Sequence, residues 1–104
     1  MTTKEFRQIV AWLRKTFPVS SPVVVKRYPA KKNHGMTRYD GRKFYIRIDS
    51  NQETSGQLDT LLHEWSHAVA MDEAYSHKER WAQIYGLIYT AFEKADDPET
   101  NETV

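Results

Sequence analysis

The chain has 104 residues, enough for one domain with a modest core, and no cysteine, which excludes disulfides, zinc ribbons and a thiol nucleophile. Hydrophobic residues make up 39%, mean hydropathy is −0.73, and the longest apolar run, 9–13, is far too short to span a bilayer. The net charge of +1 conceals a segregation: residues 26–47 hold eight basic side chains against the single acid Asp40, a net of +7 that leaves −6 for the rest. The first ten residues, MTTKEFRQIV, place Lys4, Glu5 and Arg7 where a signal peptide needs an apolar stretch, so a cytoplasmic location is expected.

Along the chain, Thr2 and Glu5 read as a capping box, and Phe6, Ile9, Val10, Leu13 and Phe17 recur at helical spacing up to Pro18. Pro22 followed by three valines opens a strand, and 29–35 (PAKKNHG) reads as a loop. Residues 36–39 and 43–49 flank Asp40-Gly41, a two-residue hairpin signal. In the second arm Phe44, Ile46 and Ile48 alternate with Tyr45 and Arg47, so one face is expected to be buried. A helix is predicted over 54–71, capped by Thr54 with Gln57 or, alternatively, started by Ser50 with Glu53.

The chemistry concentrates in LLHEWSHAVA, 61–70. His63 and His67 are four apart, about one helical turn, and project from one face. At about 100° per residue Leu58, Leu61, Leu62, Trp65 and Val69 gather on another stripe, with the histidines roughly opposite and Glu64 to one side. Imidazoles one turn apart converge on one tetrahedral ion, and the carboxylate beside the first can act as a base without being a ligand, the logic of H-E-x-x-H. The plain alternative is an amphipathic helix bearing two exposed or core-satisfying histidines.

A catalytic zinc takes three protein ligands and keeps one position open. Beyond His67 the candidates are Asp72, Glu73, His77, Glu79 and Glu93. Ser76 with Glu79 forms a capping box that places His77 in the first turn of a further helix, on a stripe with Trp81, Ile84 and Ile88. Residues 73–77 extend to about 16 Å, enough to turn back on the preceding helix. His77 is the expected third ligand, with Asp72 and Glu73 as alternatives; the plain reading of His77 is a histidine packed on Trp81.

HEWSH at 63–67, with HKERW at 77–81, resembles the SprT-like zincin metallopeptidases, including their small phage and bacterial versions. The order of elements is similar over residues 4–93, although the specific content lies in 63–81. The resemblance implies that His63, His67 and His77 bind one zinc ion and that Glu64 is the catalytic base of a zinc-dependent endopeptidase. Many such proteins carry a cysteine-rich zinc ribbon after the peptidase core, which a chain without cysteine cannot form. The metzincin pattern is excluded because it needs Gly at 70 and His at 73, where Ala70 and Glu73 stand.

The expected fold class is therefore α+β: a minimal zincin-like domain over 1–95 and a disordered acidic tail over 96–104. The domain would comprise an N-terminal helix, a small three-stranded sheet with a hairpin, the motif helix and a second helix carrying the third ligand. A protein or peptide substrate would add as a strand to a sheet edge, with 36–39 the candidate. Tyr75, Arg80 and Tyr85 are candidates to stabilise the oxyanion.

Tyr28, Tyr39, Phe44 and Tyr45 lie among the cations of 26–47, the mix of a single-strand nucleic-acid surface, so DNA is a candidate partner there; an ordinary solvated hairpin face is the plain reading. His34 in the preceding loop reads as exposed, or as an extra ligand. The competing class is a non-catalytic, zinc-stabilised binding module that contacts nucleic acid or a host protein through the hairpin. Glu64 discriminates, since a closed structural site needs no base beside its first ligand.

Overall fold

A computed structural model of the chain describes residues 1–73 and 78–95. The predicted tail, 96–104, and residues 74–77, which include Tyr75, the Ser76 cap and His77, lie outside them. The described residues form an α+β fold of three helices and a small mixed sheet: α1 (Thr3–Thr16), β1 (Val23–Tyr28), β2 (Gly35–Tyr39), β3 (Phe44–Asp49), α2 (Thr54–Asp72) and α3 (Lys78–Ala95).

The start of α1 follows the sequence closely. Thr2 caps it, its hydroxyl accepting from the Glu5 N–H at 3.0 Å, and Phe6, Val10 and Leu13 are buried. The start of α2 does not. Neither expected capping box forms: the N-cap is Glu53, with no side-chain cap. Gln57 is instead drawn inward, where its amide donates to the Gln52 carbonyl at 2.8 Å and accepts from Arg27 at 3.1 Å. A buried amide that satisfies a turn carbonyl is unavailable to cap a helix.

The strand order is β1-β3-β2, with β1 parallel to β3 and β2 antiparallel to it. The hairpin thus turns back so that β3 inserts centrally and β2 becomes an edge, as the candidate edge at 36–39 requires. Its turn is displaced by one residue from the sequence signal. Asp40 closes it, donating its N–H to the Lys43 carbonyl at 3.1 Å, so the two loop residues are Gly41 and Arg42. Gly41 carries the positive φ of 95°, which a side chain would disfavour. The Asp40 carboxylate accepts from the N–H groups of Arg42 and Lys43, both at 2.8 Å, which holds it below the usual carboxylate range.

Alternation then divides the sheet into two faces. Val23, Phe44, Ile46 and Ile48 point inward and join Leu13, Leu61, Leu62, Trp65, Ile84 and Ile88 in one buried core. Fully buried Trp65 also donates its indole N–H to the Phe17 carbonyl at 2.9 Å, tying α2 to the end of α1. Truncating it would cost about 3–5 kcal/mol. Among the described residues, no helix is long and apolar enough to cross a membrane.

Candidate metal centre

His63 and His67 stand on the side of α2 that meets α3, half-buried rather than free in solvent. Trp81 explains the burial. Its ring stacks on His67, centroids 4.8 Å apart and planes within 10°, and meets His63 edge-on, also at 4.8 Å. Its indole N–H approaches the His63 carbonyl at 3.4 Å. Tyr85, one turn further along α3, also sets its ring edge-on to His63, at 5.5 Å. Both imidazoles are thereby fixed in orientation by aromatic walls.

The two Nε2 atoms are 3.3 Å apart. Two nitrogens on one tetrahedral zinc, each bound at about 2.05 Å, lie about 3.3 Å from one another. The same separation also suits a hydrogen bond between a protonated and an unprotonated ring nitrogen. Burial lowers the pKa of His67 from its ordinary value, with Glu64 opposing and His63 reinforcing the shift, so the neutral imidazole that a metal needs is favoured.

Glu64 is buried, 7% exposed, and turns toward the sheet instead of toward α3. Its Oε1 accepts from the Thr37 hydroxyl on β2 at 2.7 Å. That hydroxyl also lies 2.9 Å from the Glu64 carbonyl, and its single proton serves one acceptor at a time. The other carboxylate oxygen, Oε2, is 4.0 Å from His63 Nε2. One oxygen is thus anchored while the second faces the imidazole pair. Such closeness between β2 and α2 requires Gly35, because a Cβ there would stand 2.9 Å from Glu64 Cγ.

The rival third ligands are engaged, exposed or distant. Glu73 forms a bidentate ion pair with Arg80, at 2.7 and 3.0 Å, which lowers its pKa. Asp72 accepts from the Ser20 N–H at 3.0 Å and from the Ser20 hydroxyl. Glu79 is exposed, and Glu93 stands twelve residues beyond Trp81 on the same helix, about 18 Å along its axis. Among the described residues no three His, Asp or Glu side chains come together to hold an ion. The described pair therefore lacks a third member, and His77 lies outside the described residues.

His34 does not join the pair. Its ring is 73% exposed and stands 3.6 Å from the Asp49 carboxylate. Of the oxyanion candidates, Arg80 is held by Glu73, Tyr75 lies outside the described residues, and Tyr85 donates its hydroxyl to Asp59. Burial first, and then Asp59, push the Tyr85 pKa strongly upward, so it remains a neutral donor. Thr37 and Gly35 escaped sequence reasoning. Their signal is faint: small or polar residues at alternate positions of a strand whose inner face is otherwise expected to be apolar.

In comparisons with known proteins, no family model, no curated protein and no solved structure matches the chain.

Proposed function

We propose that the chain is a zinc-dependent metalloendopeptidase in which His63, His67 and His77 hold one zinc ion and Glu64 is the general base. The observation that carries this reading is the 3.3 Å convergence of two Nε2 atoms beside a carboxylate oxygen that is not itself needed as a ligand. Bound there, zinc supplies Lewis acidity, acidifying water and polarising a carbonyl. Glu64 takes the proton from the attacking water and returns it to the leaving amine. Thr37 keeps the carboxylate aimed, so that proton transfer does not wait on side-chain reorientation.

The substrate class in this reading is an extended protein segment added to the free edge of β2. Asp49 N–H donates to the His34 carbonyl and Asp40 N–H to the Lys43 carbonyl, so the even-numbered residues of β2 are the ones bonded to β3. The N–H and C=O groups of Gly35, Thr37 and Tyr39 consequently point outward along the edge, beside Glu64. A peptide paired there runs past the carboxylate, and backbone recognition of this kind tolerates many side chains.

Elemental analysis tests the metal. One zinc per chain is expected, lost in His63→Ala, His67→Ala and His77→Ala but kept in Asp72→Asn and Glu73→Gln, whose carboxylates are engaged elsewhere. Glu64→Gln keeps zinc and lowers hydrolysis of an unfolded labelled protein at least about 100-fold. Zinc retained with undiminished hydrolysis in Glu64→Gln sinks the assignment of the base. Stoichiometric zinc in a wild-type chain that cleaves nothing favours the non-catalytic module.

A further inference from the structure

The face of the sheet turned away from α2 carries a different chemistry. Val24, Lys26 and Tyr28 of β1, Tyr45 and Arg47 of β3, and Met36 and Arg38 of β2 alternate with the buried positions. Register sets them in rows: Val24, Tyr45 and Arg38 lie side by side, then Lys26, Arg47 and Met36. Each exposed guanidinium lies over a tyrosine, Arg38 on Tyr45 and Arg47 on Tyr28, both at 4.6 Å. Where this face meets the 29–34 loop, a cavity of about 350 Å³ opens between Tyr28, Met36 and Arg47 on one side and Lys31, Lys32 and Asn33 on the other. A second concavity, over Val24, Lys26, Arg38 and Tyr45, shares Tyr28, Met36 and Arg47 with it, so the two form one continuous groove.

The acid in this groove is turned to the backbone and to His34. One oxygen of Asp49 accepts from the Ala30 and Asn51 N–H groups at 3.0 and 2.9 Å, and its other oxygen faces His34. Five cations, Lys26, Lys31, Lys32, Arg38 and Arg47, remain along a strip whose floor is tyrosine and methionine. We infer that this outer face binds single-stranded nucleic acid, with bases stacked against the Arg47–Tyr28 and Arg38–Tyr45 pairs and phosphates along the cations.

A flat strand surface with interleaved aromatic and arginine groups supplies stacking planes and counter-charges at once. An acidic peptide would use the cations and leave the stacked arginine–tyrosine pairs idle. A second copy of the chain would set like charges against each other. The surface lies across the sheet from Glu64 and does not depend on the metal centre.

The test is fluorescence anisotropy of the full chain with a labelled oligothymidylate of about 12 nucleotides, titrated over a range of salt concentrations. Single strands release about 0.7 counterion per neutralised phosphate, so five contacts give a log–log slope of about −3.5. Arg38→Gln with Arg47→Gln reduces the slope by about 1.4. Tyr45→Leu weakens binding between about fivefold and a hundredfold at constant slope, while Tyr45→Phe, which keeps the ring, binds as the wild type does. Arg7→Gln, on exposed α1 surface, changes neither quantity. Melting curves check that each variant is folded. Charge variants that leave the slope unchanged overturn the proposal. So does a Tyr45→Leu chain with full affinity, which reduces the face to a general polyanion surface, or poly-glutamate binding as tightly with the same Tyr45 dependence, which assigns it to an acidic protein.

Discussion

Gly35→Ala probes the close approach of β2 to α2. A methyl group at this position would stand 2.9 Å from Glu64 Cγ and 3.0 Å from Glu64 Oε2, with Thr60 Cγ2 nearer still. Carbon atoms settle at about 3.5–4.0 Å, so β2 and α2 must separate by roughly half an ångström or more, or Glu64 must turn away. Overpacking of this kind costs about 1–3 kcal/mol. Alanine restores about 0.4–1 kcal/mol by restricting the unfolded chain. A net loss of about 1–2 kcal/mol corresponds to a melting temperature lower by about 5–10 °C in a domain of this size. Because Glu64 is the group displaced, hydrolysis should fall by as much as about 100-fold with zinc content unchanged.

A second substitution separates the two effects. Thr60→Ser removes the methyl that makes the tightest contact and keeps the hydroxyl that donates to Gln52 Oε1 at 3.0 Å. In Gly35→Ala/Thr60→Ser, calorimetry should show most of the lost stability recovered. Turnover should stay low, since the contacts with Glu64 remain. A single variant with wild-type melting and wild-type turnover, or a double variant that recovers both, refutes the claim that β2 positions the carboxylate.

Two further predictions address the same strand and its neighbour. Thr37→Val removes the donor to Glu64 Oε1 while conserving shape, and should cost about 1–3 kcal/mol in urea unfolding along with part of the turnover; Thr37→Ser should restore both. The Asp49 pKa is lowered, chiefly by the Asn51 N–H and then by the Ala30 N–H, so its stabilising contribution is complete above the ordinary value of 3.8 and is lost as pH falls through the folded value. The melting temperatures of wild type and Asp49→Asn should therefore converge in strong acid, separate as pH rises to about 4, and keep a constant gap above it; a gap that does not shrink between pH about 4 and strong acid contradicts this linkage.

Much of the fold was legible where one periodicity ruled one segment. The α1 stripe of Phe6, Val10 and Leu13 and the β3 alternation of Phe44, Ile46 and Ile48 are both buried as their spacing requires. The motif histidines were legible for the same reason, since four residues on a helix fix a shared face. Reading failed where a side chain had two possible partners. Gln57 could cap a helix or satisfy a turn, and the turn prevailed because the amide is buried beside Arg27. Asp40-Gly41 suggested the loop pair, but the carboxylate caps two N–H groups only when Asp40 is the closing residue. The walls around the imidazoles come from α3, and the anchor of Glu64 comes from β2. Those are contacts between segments far apart in sequence, and no local pattern encodes them.

The two proposed surfaces are coupled by the pleat of β2. Thr37 turns inward to Glu64 and Gly35 admits the helix, whereas Met36 and Arg38 turn outward into the basic groove. A strand with period two cannot alter one set without moving the other, and a slip of one residue would exchange them completely. It would put Arg38 or Met36 against a buried carboxylate and a close-packed helix, and expose Thr37 on the tyrosine face. The register is held at one end by the Asp40 turn and at the other by the Asp49 N–H on the His34 carbonyl. The hairpin is therefore more than a carrier of positive charge. Its turn chemistry determines that Glu64 meets a hydroxyl and that the arginines meet solvent.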